Sequence, residues 1–330
     1  MPPPAACVAQ SAATATATTT CAAVVVHYRD AAQTLACLAS LFAQDPQLEV
    51  VVVDNCSPDG SGNALAHDLA ARCSVHLLRS ARNGGFGAGC NQGMEFALLH
   101  WPGLQHVLLL NPDALMGPSA LCELLATGRR HPAAGIVGCR IEDGTGCTWF
   151  ANGRRPRWTL SGFHCAAPTV DEHPCGFVTG ACMLIDADLL RTGLRFEESY
   201  FLYCEDVDLC CEVLARGREL WVTQRAQVRH LGGGSLPGRP VLRELTAERL
   251  FWLTRAKVIL ARRRLPWLQR LSFFLAACCV KPLVGLVLTR SPRFLGPYYR
   301  GLLSGLRVKI DRARIYRGAI NRSPATRSRT

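Results

Sequence analysis

The chain has 330 residues, 49% hydrophobic and 19% charged, with 29 glycines and 19 prolines. That length gives one large domain or a domain with an appendage, and the composition excludes a wholly disordered, collagen-like or coiled-coil chain. The net charge of +12 is concentrated at one end: residues 239–330 carry a net +18 and residues 1–238 a net −6.

Such a basic end meets either nucleic acid or an anionic membrane surface, since both are polyanions. The 17 cysteines are odd in number and contain no C-x-x-C pair, so neither a zinc ribbon nor a thioredoxin-type redox site is expected. Cys37, Cys90, Cys182, Cys210 and Cys279 stand among apolar residues, as reduced filler of a cytosolic protein.

In chain order, residues 1–20 lack a basic n-region and any run of large aliphatics. They read as a disordered Ala/Thr/Pro leader rather than a secretory signal, which puts the working face in the cytoplasm. Ala23–Tyr28 is a first strand, followed by a helix with Leu35, Leu38, Leu41 and Phe42 at 3/4 spacing that ends near Pro46. Glu49–Asp54 is a second strand, leading into a turn-rich NCSPDGSGN. A helix around Ala64–Cys73, a third strand at Val75–Arg79 and a helix opened by NGGFGAGCNQG and running to about His100 come next. A fourth strand, His106–Leu110, delivers Asn111-Pro112-Asp113. Strands alternating with helices predict a mainly parallel sheet, with ligands bound at the carboxyl ends of its strands.

Gly144–Pro174 reads as a long surface excursion. Regular structure returns at Phe177–Ile185 and in a helix from about Glu205 to Arg216, closed by Gly217. One strand at Leu220–Thr223 and another ending at His230 precede Gly232-Gly233-Gly234-Ser235, and a domain boundary falls near Pro240.

Several of these residues are suited to chemistry. The glycine cluster follows the third strand, not the first, and no window in it fits G-x-G-x-x-G/A, which argues against a nicotinamide-dependent dehydrogenase. It can still serve a close backbone approach to a phosphate or sugar, or a tight strand-to-helix turn. Asp54, at a strand end, can receive hydrogen bonds from a base or ribose, or form an Asx turn. Pro112 stops its strand and leaves Asp113 at the sheet edge, where a carboxylate can share Mg²⁺ or Mn²⁺ with a substrate phosphate or cap a helix. Glu205, Asp206 and Asp208 open a helix beside Tyr200, Phe201 and Tyr203. Acids there complement the helix dipole, and one on an apolar shelf is a candidate general base. His230 can be a metal ligand or a structural histidine.

Together and in this order, VVVHY, VVVDNCSPDG, NGGFGAGCNQG, LLLNPDA, VTGACMLI, FEESYFLYCEDVDL and VRHLGGGS resemble the inverting glycosyltransferases of family 2, within them the rhamnosyltransferase-like group. The resemblance covers roughly residues 22–238 and implies a GT-A nucleotide-diphospho-sugar transferase fold: a Rossmann-like mixed sheet flanked by helices. It implies a Mg²⁺ or Mn²⁺ ion and a dTDP- or UDP-sugar donor, rhamnose foremost. The nucleotide-sugar residues it implies are His27, Tyr28, Asp54, Asn55, Arg82, Asn83, Gly85, Asn91 and Asn111. Asp113 and His230 match the metal-binding positions, and Asp206 the catalytic base, with Glu205 and Asp208 beside it. In two places the pattern departs: D-x-D is N-P-D here, and F-D-E is Phe196-Glu197-Glu198.

At the basic end, Leu271–Thr289 approaches the length of a spanning helix but is interrupted by Lys281 and Pro282. Arg255, Lys257 and Arg262–Arg264 precede it, Arg290, Arg293 and Arg300 follow it, and Trp252, Trp267, Tyr298 and Tyr299 are interleaved. This pattern predicts helices lying in a headgroup layer at the cytoplasmic face, serving a glycan or lipid-linked acceptor, with no nucleic acid bound. A core helical hairpin is the rival for this segment, and a non-catalytic membrane- or polyanion-binding protein the rival for the whole chain.

Overall fold

The computed structural model describes residues 19–154, 163–165, 169–232 and 246–310. The expected leader up to Thr18, the Gly233–Ser235 part of the glycine run, the boundary at Pro240 and the basic tail beyond Ile310 lie outside them. Thr20, assigned to the leader, is tied to the sheet: its carbonyl accepts from the backbone N–H groups of Gln105 (2.8 Å) and His106 (3.0 Å).

The first half is a βαβ array of β1 Cys21–His27, α1 Ala31–Phe42, β2 Glu49–Asp54, α2 Ser61–Leu69, β3 Val75–Arg79, α3 Phe86–His100 and β4 His106–Leu110. Then come β5 Ala114–Met116, α4 Ala120–Arg130, β6 Ala134–Asp143, β7 Thr148–Phe150, β8 Asn152–Arg154, β9 Phe163–Cys165, β10 Glu172–Pro174, β11 Cys182–Asp186 and α5 Ala187–Arg191. The rest comprises α6 Glu205–Ala215, β12 Glu219–His230, α7 Ala247–Arg264, α8 Trp267–Leu275, α9 Lys281–Thr289 and α10 Leu295–Arg307.

The sheet runs β10-β12-β6-β11-β4-β1-β2-β3, with β5 on β12 and β7 on β6. β3, β2, β1 and β4 are parallel, in a register that pairs Val24 with Val51 and with Leu109. Their near-continuous Val/Leu runs are what a sheet covered on both faces requires. β11 is inserted antiparallel beside β4, so the sheet is mixed. The two strands expected at Leu220–Thr223 and up to His230 are one long strand, β12, with a register shift between Thr223 and Gln227. A bulge turns a strand without ending it, and a turn-like sequence break is what it leaves behind. The expected excursion Gly144–Pro174 carries the short pairs β6–β7, β8–β9 and β10–β12 within its described part.

The glycine cluster turns out to be mostly a packing device. A Cβ on Gly89 would lie 2.6 Å from Val26, and one on Gly93 2.4 Å from Val24. Glycine at this i, i+4 pair lets α3 close onto β1. Gly85 alone needs its backbone freedom: φ is +89°, and a Cβ would sit 2.1 Å from the Phe201 carbonyl oxygen.

The basic end is a helical layer against the sheet domain. Gly301 and Gly305 bring α10 onto α7, where added Cβ atoms would meet the Phe251 carbonyl at 2.5 Å and Val258 at 2.7 Å. Arg263 and Arg264 point inward to acids of α6 and of the segment before it: Arg263 reaches Glu197 at 2.7 Å and Asp208 at 3.0 Å, and Arg264 pairs with Asp208 and reaches Glu212 at 3.1 Å. Arg262 donates to the Gly305 and Val308 carbonyls, and Arg255 to the Tyr200 carbonyl at 2.8 Å. These four arginines, expected to flank a headgroup layer, are therefore partnered inside the protein. Trp252 and Tyr298 face inward as well: Trp252 stacks on Phe201 at 4.4 Å, and Tyr298 donates to the Ala277 carbonyl at 2.7 Å. Arg290, Arg293, Arg300 and Trp267 are exposed.

Candidate active site

A cavity of about 430 Å³ opens at the carboxyl ends of β1, β2 and β4, within the ~300–1,000 Å³ range of small-molecule sites. One side is Tyr28, Arg29 and Asp30 after β1, where Arg29 and Asp30 have φ of +63° and +52° and the Arg29 guanidinium lies 5.1 Å over the Tyr28 ring. The floor holds Asn55, Asn83 and Gly85, and the far side Asn111, Pro112 and Asp113. Phe201 and Leu202 form a lip, with Glu248 and Trp252 of α7 beside them.

The lip is strained and held from two directions. Phe201, Tyr203 and Cys204 all have φ between +63° and +70°, at a cost of order 1–3 kcal/mol each for non-glycine residues. The Phe201 carbonyl accepts from Phe86 N–H at 2.9 Å, and α7 grips the segment through Arg255 and the Trp252 stack.

Asn55 is buried and organises the turn before α3, donating to Asn83 Oδ1 (3.1 Å) and the Gly85 carbonyl (3.0 Å). Four of the other residues assigned to the nucleotide-sugar pocket lie outside the lining. The His27 ring is fully buried, with Nδ1 2.7 Å from Thr34 Oγ1 and Nε2 2.9 Å from Ser61 Oγ; burial pulls its pKa down, so it is a neutral strut joining β1, α1 and α2. Asp54 is buried and accepts from Ser57 N–H at 3.0 Å, an Asx turn. Asn91 clamps the Phe196 backbone, donating to its carbonyl (3.0 Å) and accepting its N–H (2.9 Å). Arg82 is exposed.

At the far side, His230 Nε2 stands 3.0 Å from Asp113 Oδ1 and 3.2 Å from Asn111 Nδ2. One ring nitrogen cannot both donate to the carboxylate and accept from the amide. Asn111 Oδ1 and His230 Nδ1 are buried without a hydrogen-bond partner. Gly232 keeps the space beside Asp113 clear, since a Cβ there would fall 2.1 Å from Asp113 Oδ2. A carboxylate, an amide oxygen and an imidazole are a donor set that suits Mg²⁺ or Mn²⁺, so these residues fit a divalent ion. Among the described residues no group of three His, Cys, Asp or Glu side chains forms a cage; further ligands would have to come from substrate.

The acidic cluster separates into three environments. Asp208 is nearly fully buried and paired with Arg263 and Arg264; it joins α6 to α7 and is turned away from the cavity, contrary to its assignment beside the base. Glu205 is buried with Oε2 unpartnered, and burial, then the charge of Asp206, pushes its pKa up to about 8. Asp206 is half-buried, and its carboxylate accepts from Gly180 N–H (3.0 Å) and Val207 N–H (2.8 Å). The next residue, Ala181, accepts from Asn111 N–H at 3.0 Å, so the dipeptide Gly180-Ala181 bridges Asp206 to the end of β4. The lining ring Phe86 and the Asp206 side chain converge on Gly180, 3.2 and 3.5 Å from where its Cβ would be. Asp206, assigned as the base, is not itself part of the cavity lining; it lies next to the lining residue Phe86 through Gly180.

Sequence reasoning missed Arg29, Asp30, Gln33, Leu202, Glu248 and Trp252 of the lining. Arg29 to Gln33 follow directly on VVVHY, and a β1 loop at a sheet's carboxyl edge was signal enough to include them. Glu248 was one of only three acids in residues 239–330, the single cue that α7 serves the site.

Comparison with known proteins bears on the family and the fold. Residues 22–194 match the profile "Glycosyl transferase family 2". N-acetylglucosaminyl-diphospho-decaprenol L-rhamnosyltransferase of Mycobacterium tuberculosis is 28% identical over 215 residues, 56% of this chain and 67% of that protein. The low-salt glycan biosynthesis hexosyltransferase Agl10 of Haloferax volcanii is 28% identical over 167 residues, 49% of this chain and 52% of its own. Among solved structures, GalNAc-T7 with UDP, GalNAc and Mn²⁺ superposes with a TM-score of 0.59 at 13% identity, over 85% of this chain and 55% of that one. Residues 1–349 of TarS from S. aureus superpose at 0.54 and 15% identity, over 87% and 80%. These likenesses establish the GT-A fold, and the family match, spanning more than half the sequence, makes this chain a member of glycosyltransferase family 2.

Proposed function

We propose that this glycosyltransferase is an inverting, metal-assisted hexosyltransferase that moves a sugar, rhamnose foremost, from a dTDP- or UDP-sugar to a lipid-linked glycan acceptor at the cytoplasmic face of a membrane. The observation that supports the reading is the Gly180-Ala181 bridge, which links a half-buried carboxylate, Asp206, to the backbone of Asn111, a residue of the cavity lining.

In this reading Glu205, whose pKa burial and the charge of Asp206 push up, is held mainly as the acid. Asp206 takes the acceptor hydroxyl proton as the hydroxyl oxygen bonds to the anomeric carbon. The bond from that carbon to the diphosphate breaks, and its electron pair leaves with the nucleoside diphosphate. A divalent ion held by Asp113, His230 and the Asn111 amide oxygen would neutralise the departing diphosphate. The lining supports the need for one: Asp30, Asp113 and Glu248 face the cavity with Arg29 as the basic residue among them, and a diphosphate alone would be repelled. Asn55, Asn83 and the glycine turn shape the nucleotide side.

The names of the relatives support the sugar class and the lipid-linked acceptor. Membrane association is supported by Trp267–Leu288, a 22-residue helical stretch whose most apolar 18-residue window has a mean hydropathy of 2.2 and is only 17% buried; at ~1.5 Å per residue the stretch is long enough for a ~30 Å hydrocarbon core.

The test is incubation with a panel of sugar nucleotides, Mn²⁺ or Mg²⁺ and a polyprenyl-diphosphate-linked sugar, reading released nucleoside diphosphate. Metal-dependent release from a dTDP- or UDP-hexose that requires the acceptor is expected. Binding of nucleotide with no release from any donor–acceptor pair would overturn the reading.

A further inference from the structure

Beside the catalytic cavity, on the other face of α7, lies a second cavity of about 250 Å³. Leu250, Leu253, Phe273, Ala277, Val284 and Phe294 give it apolar walls, and Lys257 and Lys281 stand among them. We propose that this groove is the acceptor-lipid site: the first units of a polyisoprenyl chain lie against its apolar walls and the lipid's diphosphate meets Lys257 and Lys281. The proposal rests on the lipid-linked acceptor reading above and adds where that lipid sits.

Three observations carry it. The first is charge: two ammonium groups line one small apolar cavity without an acidic residue in the lining. The Lys281 ammonium lies 4.5 Å over the Phe273 ring of the groove wall. A phosphate-bearing amphiphile satisfies both the cations and the walls.

The second is continuity with the catalytic cavity. Glu248 and Trp252 line that one, and Leu250, Leu253, Thr254 and Lys257 line the groove. The same turns of one helix separate the two, a distance of roughly 10 Å across a helix with its side chains. A sugar attached to a diphosphate at Lys257 can therefore reach over the rim of α7 toward the reaction centre.

The third is the local helix geometry. Residues Ala276–Val280 form a π turn between α8 and α9, and the Tyr298 and Tyr299 hydroxyls donate to the Ala277 and Cys278 carbonyls. The widened turn is fixed against α10 at the groove wall, and such turns recur at functional sites. The cavity has room for about eight groups of water size, so a long prenyl chain would leave it along the exposed Leu271, Leu275, Val284 and Leu288 side chains into the bilayer.

The test uses the full chain on phosphatidylcholine vesicles with a benzophenone-tagged geranylgeranyl diphosphate, irradiated and mapped by peptide mass spectrometry. Label is expected within residues 250–258 and 273–285. Unlabelled geranylgeranyl diphosphate should displace it, and phosphatidylglycerol at the same mole fraction should not. K257A/K281A and, separately, L253W should each lower labelling about tenfold or more, the scale of losing charge-assisted hydrogen bonds or a filled cavity; unchanged thermal unfolding checks their fold. Label confined to the outer face of Trp267–Leu288, or displaced equally by phosphatidylglycerol, would overturn the proposal, and in wild-type protein these two outcomes decide even if a variant misfolds. Labelling requires neither donor nor transfer. Groove labelling without nucleotide release would therefore count against the transferase reading alone, and release without groove labelling against this inference alone.

Discussion

The parallel half of the sheet and the C-terminal helices use the same residue types in opposite ways. In the sheet half, glycines and buried acids are chiefly structural: Gly89 and Gly93 seat α3, Asp54 forms a turn, and His27 and Asn91 fasten one element to another. In the helical end, residues that look like surface equipment reach inward: Arg255, Arg263 and Arg264 hold the lip of the cavity and α6, and Trp252 joins its lining. The lesson is that the lining of the cavity does not stop at the end of β12 but takes in Glu248 and Trp252 of α7. Each of the following substitutions breaks or sharpens that contrast.

The largest effect is expected at Asp206. Asp206→Asn keeps the size of the side chain and removes its basicity, so transfer should fall by ~10²–10⁴, the range for loss of a general base, while nucleotide affinity by calorimetry stays within a factor of two or so of wild type. Full activity in this variant would end its role.

Next is the α6–α7 latch. Asp208→Asn leaves Arg263 and Arg264 buried without their shared partner, and breaking a buried ion pair from one side costs ~3–5 kcal/mol. A drop in the denaturant midpoint of corresponding size is expected; a change under ~0.5 kcal/mol, typical of a surface site, would mean that the helical end is only loosely attached.

A smaller effect falls on Trp252→Ala. The stack on Phe201 is of the kind worth ~0.5–1.5 kcal/mol beyond area, so the donor KM should rise about threefold to tenfold with a smaller change in kcat. An unchanged KM would separate α7 from the site.

The last is an effect on pH dependence rather than on activity, at Glu205. Its folded pKa, about 8, lies above the ordinary value of 4.5, so its neutral form favours the folded state. That contribution is complete below pH ~4.5 and is lost as pH rises through ~8. Glu205→Gln should flatten the fall in melting temperature between pH 5 and 8.5 seen in wild type; an identical pH profile would show that Glu205 does not titrate there.

The sheet was legible because its signal is local. Valine runs, turn-rich NCSPDGSGN and Pro112 each declare an element within a few residues, and β2, β3 and β4 fall on the expected bounds. Asn55, Asn83, Gly85, Asn111 and Asp113 came from motif order, and all five line the cavity. What sequence could not separate was a side chain facing the cavity from one facing the layer beneath: His27 and Tyr28 are neighbours, one a buried strut and the other a wall. The helical end was harder for a related reason. An arginine's partner is chosen by tertiary packing, and Arg263 finds Asp208 55 residues away, which no periodicity reports.

The central claim is that β4's end and the first turns of α7 enclose one nucleotide-sugar site. Hydrogen–deuterium exchange of the full chain, with and without UDP or dTDP plus Mn²⁺, addresses it directly. Slowed exchange is expected at both Asn111–Met116 and Ala247–Arg255, and should disappear at both in Asp113→Ala. Protection at the β4 end with α7 unchanged, or no nucleotide-dependent protection at either, would contradict the account.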